Sequence, residues 1–348
     1  MKNKKYNLKC IFIWLIVCSL MVAIMIVIGG LTRSTNSGLS MVEWKIISGI
    51  VPPITTNDWV ELFNKYKQFP EYRLVNQNIT LNDFQFIFWM EYIHRMLGRL
   101  IFLVVLIPFI FFLKKKLIPE KLKKHFFIII FLIIAQGLLG WYMVKSGLID
   151  NHDVSQYRLS IHLIMAFIIY GYLLFISLTF YNLIKKRKKY LIKNNKQIFF
   201  INSLLILLIL ITVASGGFVA GLDAGLIYNT FPKMGDSYIP HEIFNIRPFY
   251  LNFFENPSTV QFNHRLLGFL TFLAAILLFV YSKKCKLHKQ IQKKMALIIF
   301  VVILQVILGI GTLLSYVAIP IALTHQLGAL ILFSLSLWTI KSLPFVSK

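Results

Sequence analysis

Four histidines stand near the starts of apolar segments, where their imidazoles could bind a metal. The sequence EYIHRMLGRL carries His94, and an imperfect copy, QFNHRLLGFL, carries His264. His162 and His325 open two further apolar segments. Ionisable side chains inside apolar spans are costly and usually functional. Their recurrence at repeated positions therefore favours a buried metal centre over isolated interhelical hydrogen bonds.

The histidine arrangement favours porphyrin over other metal centres. A haem iron with two histidine ligands takes one imidazole from each of two facing helices. Pairing His94 with His162, and His264 with His325, supplies this arrangement twice. The sequence has no ligand cluster with zinc-like spacing, and it has a single Glu-x-x-His where a di-iron bundle needs two.

A small residue follows each histidine by four positions. These residues are Gly98, Ala166, Gly268 and Ala329. Positions i and i+4 share a helix face, so a small side chain leaves room for a flat macrocycle beside its ligand. Small residues also allow close helix packing in membranes, and both roles can hold together.

One acidic residue distinguishes the two copies of the motif. Glu91 precedes His94 by three residues and shares its helix face, whereas Gln261 occupies the matching position before His264. A carboxylate beside a porphyrin edge could act as a base, an electrostatic stabiliser or a nucleophile. The alternative is a structural ion pair between Glu91 and Arg95 at i+4.

The elements that must position these residues are membrane-spanning helices. The chain has 348 residues, 57% of them hydrophobic, and a mean hydropathy of +0.72. Apolar runs long enough to cross a bilayer as helices lie at residues 11–31, 86–113, 125–144, 159–184, 198–220, 259–282, 295–316 and 319–340.

The net charge of +24 is explained by membrane topology and does not indicate a nucleic-acid partner. Basic residues concentrate before the first span and in the loops at 114–124, 185–196 and 283–294. This positive-inside pattern predicts that both termini are cytoplasmic. The first outer loop, 32–85, is rich in aromatic residues, including Trp44 and Trp59, and we expect it to pack on the membrane surface or over a site.

The chain carries an internal duplication. Gly29 opens GGLTRSTNSGL and Gly216 opens GGFVAGLDAGL, while Gln136 opens QGLLG and Gln305 opens QVILG. These segments and the four histidines recur in the same order. We therefore predict an all-α membrane protein with eight transmembrane helices in two tandem pseudo-symmetric four-helix bundles, residues 1–190 and 191–348. The halves should be related by a pseudo-two-fold axis along the membrane normal.

The sequence resembles the haem A synthases of the alphaproteobacterial and mitochondrial branch, over nearly the whole chain. The segments that carry the resemblance are Gly29–Lys45, Val51–Pro53, Glu91–Arg99, Gln136–Leu148, Arg158–Leu163, Phe262–Gly268 and Thr324–Ala329. Other branches carry a cysteine pair in outer loops. This chain lacks that pair, so a step that depends on it is absent here.

The resemblance implies a division of labour between the halves. His264 and His325 would hold haem b as a resident electron carrier, and His94 and His162 would lie at the iron of the substrate, haem O. The methyl group at porphyrin C8 would be oxidised through an alcohol to the formyl group of haem A. Glu91 matches the family's essential carboxylate.

The resemblance also implies surroundings and partners. Arg95, Arg99 and Arg265 could meet the porphyrin propionates. We expect a bacterial inner membrane protein that receives haem O from a haem O synthase, passes electrons to an unidentified acceptor and could form a homo-oligomer.

Two other functions remain open from the sequence. One is a two-haem b-type electron-transfer cytochrome, although all four histidines lie toward one membrane face, which disfavours transfer straight across. The other is a haem transporter or chaperone, which would need no Glu91.

Overall fold

The fold is all-α in the part of the chain that the structure describes. The computed structural model describes residues 2–42, 48–147, 154–185, 195–285 and 287–343. Its helices are α1 (Lys2–Ser34), α2 (Thr56–Tyr66), α3 (Pro70–Leu74), α4 (Leu81–Lys114), α5 (Glu120–Gly147), α6 (Gln156–Ile184), α7 (Asn195–Gly221), α8 (Asn252–Glu255), α9 (Pro257–Lys284), α10 (Lys289–Leu314) and α11 (Ile319–Ser342). No β-strand forms within these residues.

Eight of these helices confirm the predicted membrane spans. In the described ranges, α1, α4, α5, α6, α7, α9, α10 and α11 are long and apolar enough to cross a bilayer. The chain is therefore an integral multi-pass membrane protein. Most of these helices extend beyond the predicted apolar runs, because their first and last turns carry polar residues that lie outside the hydrophobic segments. For example, α4 begins at Leu81, where Thr80 and Asp83 form a capping box.

The spanning helices expose apolar side chains on the outside of the bundle. Leu103, Phe131 and Leu277 are 47%, 68% and 66% exposed. Such surface is stable against lipid and unstable against water. Because these helices are apolar on every side, hydrophobic periodicity could not identify their packing faces.

The two halves have the same order of neighbours. In the first half α1 packs on α4 and α6, and α5 packs on the same two helices. In the second half α7 packs on α9 and α11, and α10 packs on the same two. This order agrees with a duplication. The two-fold axis stays a prediction, and the boundary between residues 190 and 191 lies outside the described residues.

The first outer loop folds into a cap on the start of α4. Trp59 and Phe63 of α2 are buried, and their rings contact Phe84. Trp59 also packs edge-on against Phe88. The described part of this aromatic loop therefore packs on α4. Its packing on the membrane surface or over a site stays a prediction, and Trp44 lies outside the described residues.

Candidate functional site

Each of the four histidine rings lies against a glycine of a neighbouring helix. A Cβ added at the glycine would lie 3.1–3.3 Å from Cε1 of the histidine in all four cases. The pairs are Gly29 with His94, Gly140 with His162, Gly216 with His264, and Gly309 with His325. A methyl group would crowd the ring, so these positions favour glycine. These glycines belong to the repeated segments, but their contact with the histidines could not be read from the sequence.

Two glutamines tie the helix pairs α5–α6 and α10–α11 together beside the histidines. The side-chain amide of Gln136 donates to the carbonyl oxygen of His162 at 3.1 Å, and that of Gln305 donates to the carbonyl oxygen of His325 at 2.9 Å. The same connection is thus built twice.

The two histidine rings of the second half lie close together. The ring centroids of His264 and His325 lie 6.4 Å apart, and the ring planes are inclined by 82°. A first-row metal ion bound by opposed imidazoles at about 2 Å would separate the ring centres by about 6 Å. The observed separation therefore has the size of a two-histidine metal site.

Three of the histidine rings carry a buried nitrogen without a hydrogen-bond partner. These atoms are Nδ1 of His94, His162 and His325. Buried polar atoms are normally hydrogen-bonded, so exceptions call for a functional explanation. Each of these three rings also lies against a glycine, which leaves little room for the ring to move on that side.

Glu91 is a buried carboxylate with three neighbouring donors. It is 2% exposed and forms an ion pair with Arg95. Its Oε2 accepts hydrogen bonds from the Ser40 hydroxyl at 2.7 Å and from the Met41 N–H at 2.6 Å. The predicted i+4 ion pair therefore exists, and the first outer loop also closes on the carboxylate. Ser40 and Met41 lie in a segment that carries the family resemblance, but no motif predicted their contact with Glu91.

Gln261 contacts a backbone carbonyl of the second-half outer loop, whereas Glu91 contacts a backbone N–H of the first outer loop. Tyr228 follows Gly216 by twelve residues, as Met41 follows Gly29. Yet the Gln261 amide donates to the Tyr228 carbonyl at 3.2 Å, whereas Glu91 accepts from the Met41 N–H. The first loop thus offers an N–H to the carboxylate, and the second loop offers a carbonyl to the amide. The two sites therefore differ in their loop contacts as well as in one side chain.

The loop around Tyr228 is fixed by its own polar contact. The Tyr228 hydroxyl donates a hydrogen bond to the Glu242 carboxylate. This bond lowers the pKa of Glu242 below its ordinary value, because it favours the charged form.

The predicted arginines connect the helices to these outer loops. The Arg95 guanidinium donates to the Met41 carbonyl at 3.2 Å, and Arg265 donates to the Tyr228 carbonyl at 3.0 Å. Arg99 lies 3.5 Å from the sulfur of Met96. Nε of Arg265 is buried without a hydrogen-bond partner, so this side chain retains an unused donor.

The small residues next to the histidines differ in their surroundings. A Cβ added at Gly268 would have no atom within 4 Å, whereas one at Gly98 would lie 3.3 Å from the terminal methyl of Met25. Open space therefore exists beside Gly268, while Gly98 serves close helix packing. Ala166 and Ala329 pack against the hydrophobic core.

Comparison with known proteins places the chain in a family. The COX15-CtaA family, described as "Cytochrome oxidase assembly protein", matches residues 12–337. The chain belongs to this family. "Heme A synthase" of Nitrosospira multiformis is 45% identical over 330 residues, 95% of this chain and 92% of the relative. "Heme A synthase COX15" of Homo sapiens is 43% identical over 341 residues, 96% of this chain and 83% of the relative.

The donor set of this COX15-CtaA protein suits a haem. Within the described ranges, no three or more His, Cys, Asp or Glu side chains come together as a metal site. The four nitrogens of a porphyrin would complete the ligands of a metal held by His264 and His325. The separation of these two rings and the space beside Gly268 fit that group.

Proposed function

We propose that the chain is a haem A synthase, which oxidises the C8 methyl of haem O through an alcohol to a formyl group. The names of the relatives support this activity, at identities of 41–45% over at least 93% of this chain. The structural observation that carries the proposal is Glu91, a buried carboxylate beside one histidine where Gln261 stands beside the other.

The two halves take different porphyrins in this proposal. His264 and His325 hold haem b, and His94 and His162 hold the substrate haem O. Haem b, when bound, supplies one-electron transfer away from the substrate site. The opposed rings of His264 and His325 support the first assignment.

The proposed reaction removes four electrons from the substrate. Conversion of the methyl group to the alcohol forms one C–O bond with water and releases two electrons and two protons. Oxidation of the alcohol to the formyl group releases two more of each. Glu91 is placed to accept a proton from water as the C–O bond forms, or to stabilise positive charge near the substrate. The electrons pass to an acceptor outside this chain.

Further residues hold the porphyrins in place. Arg95, Arg99 and Arg265 offer guanidinium groups to the propionates, since arginine forms bidentate hydrogen bonds with carboxylates. Gly98 and Gly268 lie on the histidine faces and limit the bulk beside each macrocycle. Arg95 and Arg265 also contact outer-loop carbonyls.

The proposed location is the bacterial inner membrane, with both termini in the cytoplasm. The proposed partners are a haem O synthase, an electron acceptor and, in a homo-oligomer, further copies of this chain. A reporter enzyme that works only in the cytoplasm should be active when fused after Lys348. A reporter that works only after export should be inactive at the same position. Activity of an exported reporter instead would contradict the topology.

The activity is tested by haem analysis of cells that make haem O. Co-expression of the chain should yield haem A or its alcohol precursor in extracts, whereas a strain without the chain should retain haem O. Unchanged haem O together with tightly bound haem in the purified protein would instead support an electron-transfer cytochrome or a haem carrier.

The glycine contact of His162 supports a matched pair of variants. Gly140→Ala should displace the His162 ring and weaken haem binding in the first half by about tenfold, the low end of measured outer-shell effects. Gly137→Ala, one turn earlier in α5, should leave binding unchanged, because an added Cβ meets no atom within 4 Å. Haem titration of each purified variant measures this effect, and equal affinities would refute it.

A further inference from the structure

One of the four histidines has a hydrogen-bond partner on its Nδ1 atom, and that partner fixes its tautomer. The Ser215 hydroxyl oxygen lies 2.7 Å from Nδ1 of His264. The same hydroxyl donates to the carbonyl oxygen of Thr212 at 2.8 Å. A hydroxyl has a single proton, and a carbonyl oxygen only accepts. With its proton donated to Thr212, Ser215 accepts a hydrogen bond from the Nδ1–H of His264, and this tautomer leaves the Nε2 lone pair available to a metal.

The equivalent histidine of the first half lacks this support. Ser215 directly precedes Gly216, the glycine under His264, whereas Ile28 directly precedes Gly29, the glycine under His94. An isoleucine side chain cannot accept a hydrogen bond. Accordingly, Nδ1 of His94 has no partner.

The remaining two histidines also lack such a partner. Leucines precede their glycines, at Leu139 and Leu308, and Nδ1 is unpaired in both His162 and His325. The Ser215 contact is thus the one side-chain hydrogen bond at Nδ1 among the four histidines, all of which lie in the described residues.

We propose that Ser215 is a positioning residue that makes the second-half haem permanent, and that Ile28 leaves the first-half haem exchangeable. A metal-binding histidine that donates its second N–H is held in orientation and becomes a more basic ligand. This inference rests on the proposed function, in which haem b stays bound while haem O enters and haem A leaves. The two halves need opposite residence times, and one hydroxyl distinguishes their histidines.

The test is haem release from the full-length protein to apomyoglobin, a haem-binding globin. Ser215→Ala should speed the release of haem b by about 10–100-fold, if the loss of affinity typical of such partners appears in the release rate. The midpoint potential of haem b should rise, because a less basic imidazole stabilises the ferric form less. Ser215→Thr, which keeps the hydroxyl, should restore both values toward those of the parent.

The reciprocal variant is Ile28→Ser, which places a hydroxyl at the matching position of the first half. It should slow the release of haem O and haem A, with haem b unchanged. Haem b release and potential that are identical in Ser215→Ala and the parent, in protein that still makes haem A, would overturn the role of Ser215 alone. A parent chain that makes no haem A would instead contradict the proposed function, whatever Ser215→Ala does.

Discussion

Glu91→Gln is expected to stop the oxidation of haem O while leaving both haem sites occupied. General acid–base groups typically contribute about 10²–10⁴-fold to rate, so turnover should fall by that order. The substitution removes the charge and the proton acceptor but keeps nearly the same shape. Haem A formed per unit of bound haem, measured in extracts of matched membranes, reports the loss.

The fold should tolerate this substitution because glutamine is nearly isosteric with glutamate and keeps an acceptor oxygen. Gln261 occupies the matching position and remains 3% exposed next to Arg265. In Glu91→Gln the amide oxygen can still accept hydrogen bonds from Ser40 and Met41. Arg95 keeps its contact with the Met41 carbonyl, 3.2 Å away.

A matched control separates catalysis from burial. Glu71 is the other buried carboxylate of the described residues, at 6% exposed, and it accepts a hydrogen bond from Tyr66 in the outer cap. Glu71→Gln makes the same chemical change away from the histidines and should retain turnover. Full activity in Glu91→Gln, or equal losses in both variants, would reject a catalytic role for Glu91.

The spans and the repeated motifs were predictable because each rests on local sequence. Apolar length alone predicts a membrane helix, and similar segments such as those at Gly29 and Gly216 are visible in the sequence itself. The asymmetry between Glu91 and Gln261 was visible for the same reason. These features require no knowledge of which helices touch.

The packing of the site was not predictable, because it joins positions far apart in the chain. Helices that are apolar on all sides do not reveal which glycine lies under which histidine. The contact of Glu91 with Met41 joins residues 50 positions apart, and no residue type signals a backbone N–H. The reversed contact of Gln261 with the Tyr228 carbonyl is invisible to sequence for the same reason.

His264→Ala and His94→Ala make the same change at matching positions and should have different effects on bound haem. His264→Ala should lose resident haem b, with affinity reduced by more than about 100-fold, because loss of a ligand exceeds loss of its supporting partner. His94→Ala should retain haem b and its two-histidine spectrum but fail to bind added haem O. Both variants should be inactive.

Haem extraction and optical spectra of the two purified variants distinguish these outcomes. Loss of haem b from His94→Ala, with retention in His264→Ala, would reverse the assignment of the halves and remove the argument that Glu91 lies at the substrate. The geometry favours haem b in the second half and the substrate in the first. The second half already holds its two rings 6.4 Å apart with His264 fixed by Ser215, as a permanent site requires, whereas the first half carries the carboxylate.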